Sequence, residues 1–138
     1  MAIDYNNIKN WKFDDVEHTY TERDSMLYAL GVGYGADPMN EDELQFVYEK
    51  NLKAVPTMGV VLAAAFGWAR DPRSGINYTK VVHGEQALML HKPLPKSGTL
   101  IGKTHISHLI DKGADKGAVI YQARELFDKQ SGEKIATP

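Results

Sequence analysis

Few residues in this chain are equipped for chemistry, and they are scattered. His83-Gly84-Glu85-Gln86 sets three polar side chains around a glycine inside an otherwise apolar run. Glycine within a strand often marks the close approach of a ligand or of another backbone. The same run reads equally well as a solvated or interface strand edge. His105 and His108 stand three apart. On a helix they would share a face and could hold a metal, whereas on a strand they point to opposite faces. Their surroundings read as strand, so no metal site is expected. Gly31-Val32-Gly33-Tyr34-Gly35 is glycine-rich, but phosphate-cradling loops follow a strand and open a helix. This one follows a helix, and no Gly-Lys-Ser/Thr accompanies it. Asp14, Asp15, Glu17 and the run Glu41-Asp42-Glu43 read as solvated faces rather than catalytic pairs, because catalytic carboxylates need a cleft that shifts their pKa. A Gly-x-Ser-x-Gly elbow is absent. With no cysteine in the chain, disulfides, thiolate metal sites and cysteine nucleophiles are excluded.

The elements that must position these residues can be read from pattern. Residues 13–20 suit a strand. Thr21 can cap a following helix whose first turn carries Glu22 and Asp24, with Met26, Leu27 and Leu30 apolar and Gly31 placed to end it. Asp37-Pro38 marks a turn. Over 40–48 the cap-like start competes with the alternation of Leu44, Phe46 and Tyr48, and the aromatic content favours a strand. Residues 55–69 form the most apolar stretch. Pro56 suits a first helical turn, and Val60 through Phe66 leave no polar face. A helix apolar all round must be wrapped on most sides by the rest of the protein. Strands are expected over 81–90, 99–110 and 118–127, with a turn or bulge at 111–117 and a hairpin turn at 128–133. The strand returning from that hairpin has only Lys134 to Pro138, although hairpin partners are usually of similar length. The mismatch predicts a chain cut within or just after its last strand. A short edge strand closed by Pro138 is the alternative.

Composition bounds the rest. The chain has 138 residues, 43% of them hydrophobic and 25% charged. That suits one α+β domain with a buried core. A formal charge of −2 carries no basic excess, which argues against nucleic acid as a partner. The N-terminus has no basic segment followed by an apolar one, so it is not a secretory signal. The 55–69 stretch is shorter than the ~20 residues of a membrane span, and no membrane partner is expected. Cytoplasm or an organelle lumen is the default location.

Four stretches taken in order carry a resemblance. They begin Arg23-Asp24-Ser25-Met26-Leu27-Tyr28-Ala29-Leu30, Asp42-Glu43-Leu44-Gln45-Phe46-Val47-Tyr48, Val55-Pro56-Thr57-Met58-Gly59-Val60-Val61 and His83-Gly84-Glu85-Gln86-Ala87-Leu88. Together they resemble the N-terminal half of the MaoC-like (R)-specific 2-enoyl-CoA hydratases, the type 2 hydratases. The resemblance implies a hot-dog fold, a curved antiparallel sheet around a central helix. It also implies a second such half, in cis or in trans or as a homodimer, with a CoA thioester bound as substrate between the halves and no cofactor. A peroxisomal location follows if the source is eukaryotic.

The catalytic motif of these hydratases is Gly-Asp-x-Asn-Pro-x-His after a helix, carried by the C-terminal half. Its Asp and His activate the water that adds across the double bond. The corresponding place here is Gly31-Val32-Gly33-Tyr34-Gly35-Ala36-Asp37-Pro38. Asp37 is displaced, and no histidine occurs between His18 and His83. The resemblance therefore implies an acyl-CoA-binding half without catalytic residues. It places Val55, Pro56, Thr57, Gly59, His83, Gly84, Glu85 and Gln86 toward substrate and partner. Two alternatives stay open: a stand-alone thioesterase or dehydratase homodimer using Glu85 or Asp37, and a ligand-free interaction subunit.

Overall fold

A computed structural model describes residues 4–113 and 115–138; the extreme N-terminus and Ala114, which falls in the expected 111–117 turn, lie outside them. Helix α1 (Tyr5–Lys9) leads into strand β1 (Val16–Tyr20), helix α2 (Glu22–Gly31) and helix α3 (Glu41–Val47). Four short 3-10 turns follow: Pro56–Val60, Trp68–Arg70, Pro72–Ser74 and Tyr78–Lys80. The chain then enters β2 (Met89–Leu90), β3 (Gly98–Asp111), β4 (Ala118–Asp128) and β5 (Lys134–Thr137). These strands form one antiparallel sheet in the order β1-β3-β4-β5-β2.

The start of α2 follows directly from sequence. The Thr21 hydroxyl accepts from the Asp24 amide, and the Asp24 carboxylate accepts from the Thr21 amide at 2.8 Å. This reciprocal capping box satisfies two amide donors that the first helical turn leaves free. Hydrogen bonds from Thr21 hold the Asp24 carboxyl below the usual carboxylate range. The helix ends at Gly31, as expected, with Val32 as its cap and Gly33 at φ 100° behind it. Ser25 and Ala29 turn inward, and Leu27 and Leu30 stay exposed.

The expected strand around Leu44, Phe46 and Tyr48 is instead α3. The Asn40 side chain accepts from the Asp42 amide, and three acidic residues occupy the first turn, at the positive end of the helix dipole. Phe46 then finds a partner within the helical arrangement, its ring 4.9 Å from that of Tyr34. Capping and this contact outweigh the β preference of the aromatics.

The long helix expected over 55–69 does not form. One 3-10 turn, Pro56–Val60, is followed by irregular turns, with Ala63 at φ 47° and Gly67 at φ 86°. The central position is nonetheless real. Met58, Leu62 and Ala63 sit in the main core with Tyr20, Leu100 and Leu126. Gly102 on β3 is what lets this segment lie so close, since a Cβ there would fall 2.2 Å from the Ala63 carbonyl oxygen. A second cluster joins Ile8, Ile106 and Leu109 with Trp11, Phe13 and Trp68. The Trp68 ring stands 5.6 Å from Trp11 and 5.4 Å from Phe13.

Hairpin β3–β4 is the longest pairing, running from Leu100↔Asp128 to Asp111↔Ala118. Its register shifts between Ile106 and His108. The extra residue, Ser107, lets both Ile106 and Leu109 face the core. His105 and His108 are consequently both exposed on the outer face, not on opposite faces as simple alternation predicts. Among the described residues no group of three His, Asp or Glu side chains is placed to hold a metal.

Strand β5 is interior to the sheet, flanked by β4 and β2, so it is not a short edge strand. The expected strand over 81–90 is paired only at Met89–Leu90. No described helix is long and apolar enough to cross a membrane.

Candidate functional site

The residues singled out from sequence fall on two segments. Pro56 opens the central 3-10 turn, where its missing N–H costs nothing. Val55, Met58 and Gly59 are buried, while Pro56 and Thr57 are exposed. Tyr28 of α2 reaches across and donates its hydroxyl to Thr57 Oγ1 at 3.1 Å. This bond ties the solvent-facing rim of the turn to the helix.

His83, Gly84, Glu85 and Gln86 lie on the second segment, and all four are exposed. Among the described residues no backbone–backbone hydrogen bond involves residues 82–88. A Cβ at Gly84 would meet nothing within 4 Å. No described atom therefore requires a glycine there, in contrast to Gly102. The Glu85 carboxylate pushes the Tyr121 phenol up, by a hydrogen bond first and by charge second. Gln86 donates only to the neighbouring Ala87 carbonyl. The two segments meet through Leu88, which packs against the main core and stands where a Cβ on Gly59 would come within 3.5 Å of it. His83 through Gln86 are not drawn into the central turn.

The glycine-rich run behind α2 is pinned from α3, because Glu43 accepts from the Gly35 amide at 2.6 Å. Glu43 is therefore a structural acceptor and not merely part of a solvated acidic face. Asp37 accepts from the Met39 amide at 2.9 Å within its own turn. Neither Asp37 nor Glu85 is hydrogen-bonded to a histidine among the described residues. A thioester-cleaving pair needs an orienting base, and no such contact to either acid is present among the described residues.

Two side chains that the sequence left unmarked stand at the centre. Arg124 of β4 is 5% exposed, and its Nη2 donates to the carbonyl oxygens of Gly59 (3.3 Å) and Val60. Burial pushes this guanidinium down from its usual range. Among the described residues its Nε and the hydroxyl of Thr104, its cross-strand neighbour on β3, have no hydrogen-bond partner. His18 of β1 accepts at Nδ1 from the Ala63 amide at 3.0 Å. Strand alternation places both residues on the inner face, a signal that was available in sequence. What was missing was the segment that they touch.

A sheet in the order β1-β3-β4-β5-β2, curved over a short central turn, defines a hot-dog domain. Over residues 18–138 the chain matches the MFE-2 hydratase 2 N-terminal domain, and it belongs to that family of MaoC-like enoyl-CoA hydratase 2 domains. It is 40% identical over 128 residues to peroxisomal multifunctional enzyme type 2 of Mus musculus, an alignment covering 84% of this chain and 17% of that protein. To the peroxisomal enoyl-CoA hydratase 2 of Arabidopsis thaliana it is 33% identical, covering 90% of this chain and 42% of the relative. A MaoC-like dehydratase from Phytophthora capsici superposes with a TM-score of 0.73 at 29% identity, over 97% of this chain and 46% of that one. The chain thus spans less than half the length of these relatives.

Proposed function

We propose that this chain is the acyl-CoA-binding, non-catalytic half of an (R)-specific 2-enoyl-CoA hydratase and works together with a second hot-dog half. The observation that carries the reading is the open sheet edge. Among the described residues, 82–88 belong to no helix or strand and make no backbone–backbone hydrogen bond, and Val81, Val82 and Met89 are 49%, 86% and 62% exposed. A row of free amides and carbonyls with apolar side chains is a template for pairing with another strand. Pairing a second half there would cover this edge and bring His83, Glu85 and Gln86 to the boundary between the halves. Val55, Pro56, Thr57 and Gly59 line the approach from the central turn.

Catalysis then falls to the other half. The turn behind α2, where the resemblance puts the hydratase motif, holds Asp37 in a local backbone cap and contains no histidine. In the partner, an Asp–His pair would activate water, and helix amides would polarise the thioester carbonyl as enolate charge develops. The present half supplies a wall for the acyl part and completes the sheet. The peroxisomal names of two relatives support a soluble compartment of that kind as the place where this half works.

The test is hydration of an enoyl-CoA, followed as loss of the enoyl thioester absorbance. The chain alone should be inactive, and it should form an active complex with a half carrying Gly-Asp-x-Asn-Pro-x-His. Activity of the isolated chain, or failure to pair with any such half, overturns the proposal. Absence of any thermal protection by acyl-CoA in the complex would favour a purely structural subunit.

A further inference from the structure

From residue 60 to residue 66 the chain reads Val-Val-Leu-Ala-Ala-Ala-Phe, with four good helix formers and nothing to break a helix. An α-helix started at Pro56 would run on through it. In that helix the Ala63 amide would bond to the Gly59 carbonyl, four residues back. The structure separates those two groups and gives each to a different side chain. The Gly59 carbonyl, together with that of Val60, accepts from Arg124 Nη2 on β4. The Ala63 amide donates to His18 Nδ1 on β1. Ala63 is left at φ 47°, a region that alanine rarely adopts. Gly102 of β3 leaves the space into which its carbonyl presses.

We infer that His18 and Arg124 act as a helix stop: by taking up the two halves of one helical hydrogen bond, they hold the central segment broken and thereby set the acyl groups that this half admits. The second part rests on the acyl-CoA-binding reading above. The first part does not, and it is measured separately. Neither residue is placed to touch the reacting atoms; both are positioning residues. Along the broken segment Val61 and Phe66 face outward as apolar surface, 42% and 83% exposed. A continuous helix would carry these side chains round its axis and fill space that the irregular turn leaves. Arg124 suits the task because its fork of donors can hold two successive carbonyls, and among the described residues those carbonyls are the acceptors it meets in its buried position. His18 serves in its neutral form with the proton on Nε2, since Nδ1 must accept.

The account makes a demand that ordinary packing would not. Arg124→Met alone strands the carbonyls of Gly59 and Val60, and His18→Phe alone strands the Ala63 amide. Each should destabilise the chain, as a buried polar group left unpaired does. In the double variant the freed amide and the Gly59 carbonyl can bond to each other and the helix can continue. The unfolding constant of the double variant should therefore lie roughly tenfold below the product expected from the singles, with a gain in helical signal by far-UV circular dichroism. Arg124→Lys combined with His18→Gln keeps a donor and an acceptor, and it should retain the wild-type spectrum.

Paired with a catalytic half, the double Met/Phe variant should lose about tenfold in kcat/KM for a long-chain enoyl-CoA relative to a four-carbon one, and the Lys/Gln pair should not. Strictly additive destabilisation without added helix overturns the helix stop, as does a Lys/Gln pair that behaves like the Met/Phe pair. Added helix with an unchanged chain-length profile overturns the specificity role. If the wild-type complex binds no acyl-CoA at all, the functional reading fails while the helix stop stands on its spectra and stabilities.

Discussion

Strand β3 and residues 81–90 look alike as sequence: each is an apolar run with histidine, a glycine and polar residues set into it. They end in opposite situations. β3 is bonded on both sides, to β1 from Val16↔Gly102 to Tyr20↔Gly98 and to β4 over most of its length. Residues 81–90 gain ladder partners only at Met89 and Leu90. The two glycines carry the same contrast. Gly102 is pressed by Ala63, whereas Gly84 faces open space. A glycine in a strand thus has meaning only relative to what comes near it. In β3 the neighbour is the chain's own central turn. At Gly84 no described atom comes that near, although Val81, Glu85 and Leu88 on either side do meet residues of this chain. A paired strand belongs to the fold, and an unpaired one of matching composition is where the proposed second half would be read.

Amide exchange gives the sharpest test of this contrast. Amides in the middle of β3 and β4 should exchange only on global opening, and those of residues 82–88 nearly as fast as in an unfolded chain, a gap of several orders of magnitude. Comparable protection in both would erase the distinction. Protection appearing over 82–88 only after a catalytic half is added would extend it to the assembly.

Substitutions come next in size. Leu126 is fully buried in the main core opposite the central turn. Leu126→Ala should cost about 2–5 kcal/mol in denaturant unfolding. Gly102→Ala forces a methyl against the Ala63 carbonyl and should cost about 1–3 kcal/mol. Gly84→Ala should leave the isolated chain within about 0.5 kcal/mol of wild type; a large loss there would mean that the segment has an intramolecular neighbour after all. Between these sizes lies the capping box. Thr21→Ala should lower stability by about 1 kcal/mol, and it should leave the β3 amides as slow relative to global opening as before.

Tyr20 adds a pH signature on the paired side of the comparison. Its hydroxyl donates to the Pro95 carbonyl at 2.6 Å. Burial, with the Asp128 charge second, pushes its phenol up to about 12. Its folded pKa lies above the unfolded value near 10, so this contribution to stability is complete below pH 10. It is lost as pH rises from there toward 12. A Tyr20→Phe variant should flatten this part of the alkaline unfolding profile, as followed by circular dichroism.

Much of the architecture was legible in the residues themselves. Thr21 and Asp24 specify the start of α2 by local hydrogen bonding, a signal that needs no tertiary partner. Alternation and turn residues mark β3, β4 and the hairpin before β5 closely, because a strand pair joined by a short turn is also nearly local. The ordered set of stretches that resembles the type 2 hydratases pointed to the hot-dog domain and to the family that the comparisons then showed. The absence of a histidine behind α2 can be read directly from the sequence.

Other features could be decided only by the folded chain. The 40–48 segment carries both helical and strand signals of similar strength, and the Tyr34–Phe46 contact helps settle it as helix. Ser107 slips the register of β3 and puts His105 and His108 on one face, a displacement that no alternation rule contains. Most of all, residues 55–69 have the composition of a continuous helix and are denied it. The groups that interrupt them, His18 and Arg124, come from strands 45 and 64 residues away in sequence. Local propensity is worth a few tenths of a kcal/mol per residue, and it yields when distant side chains take up the hydrogen bonds that a helix would have made for itself.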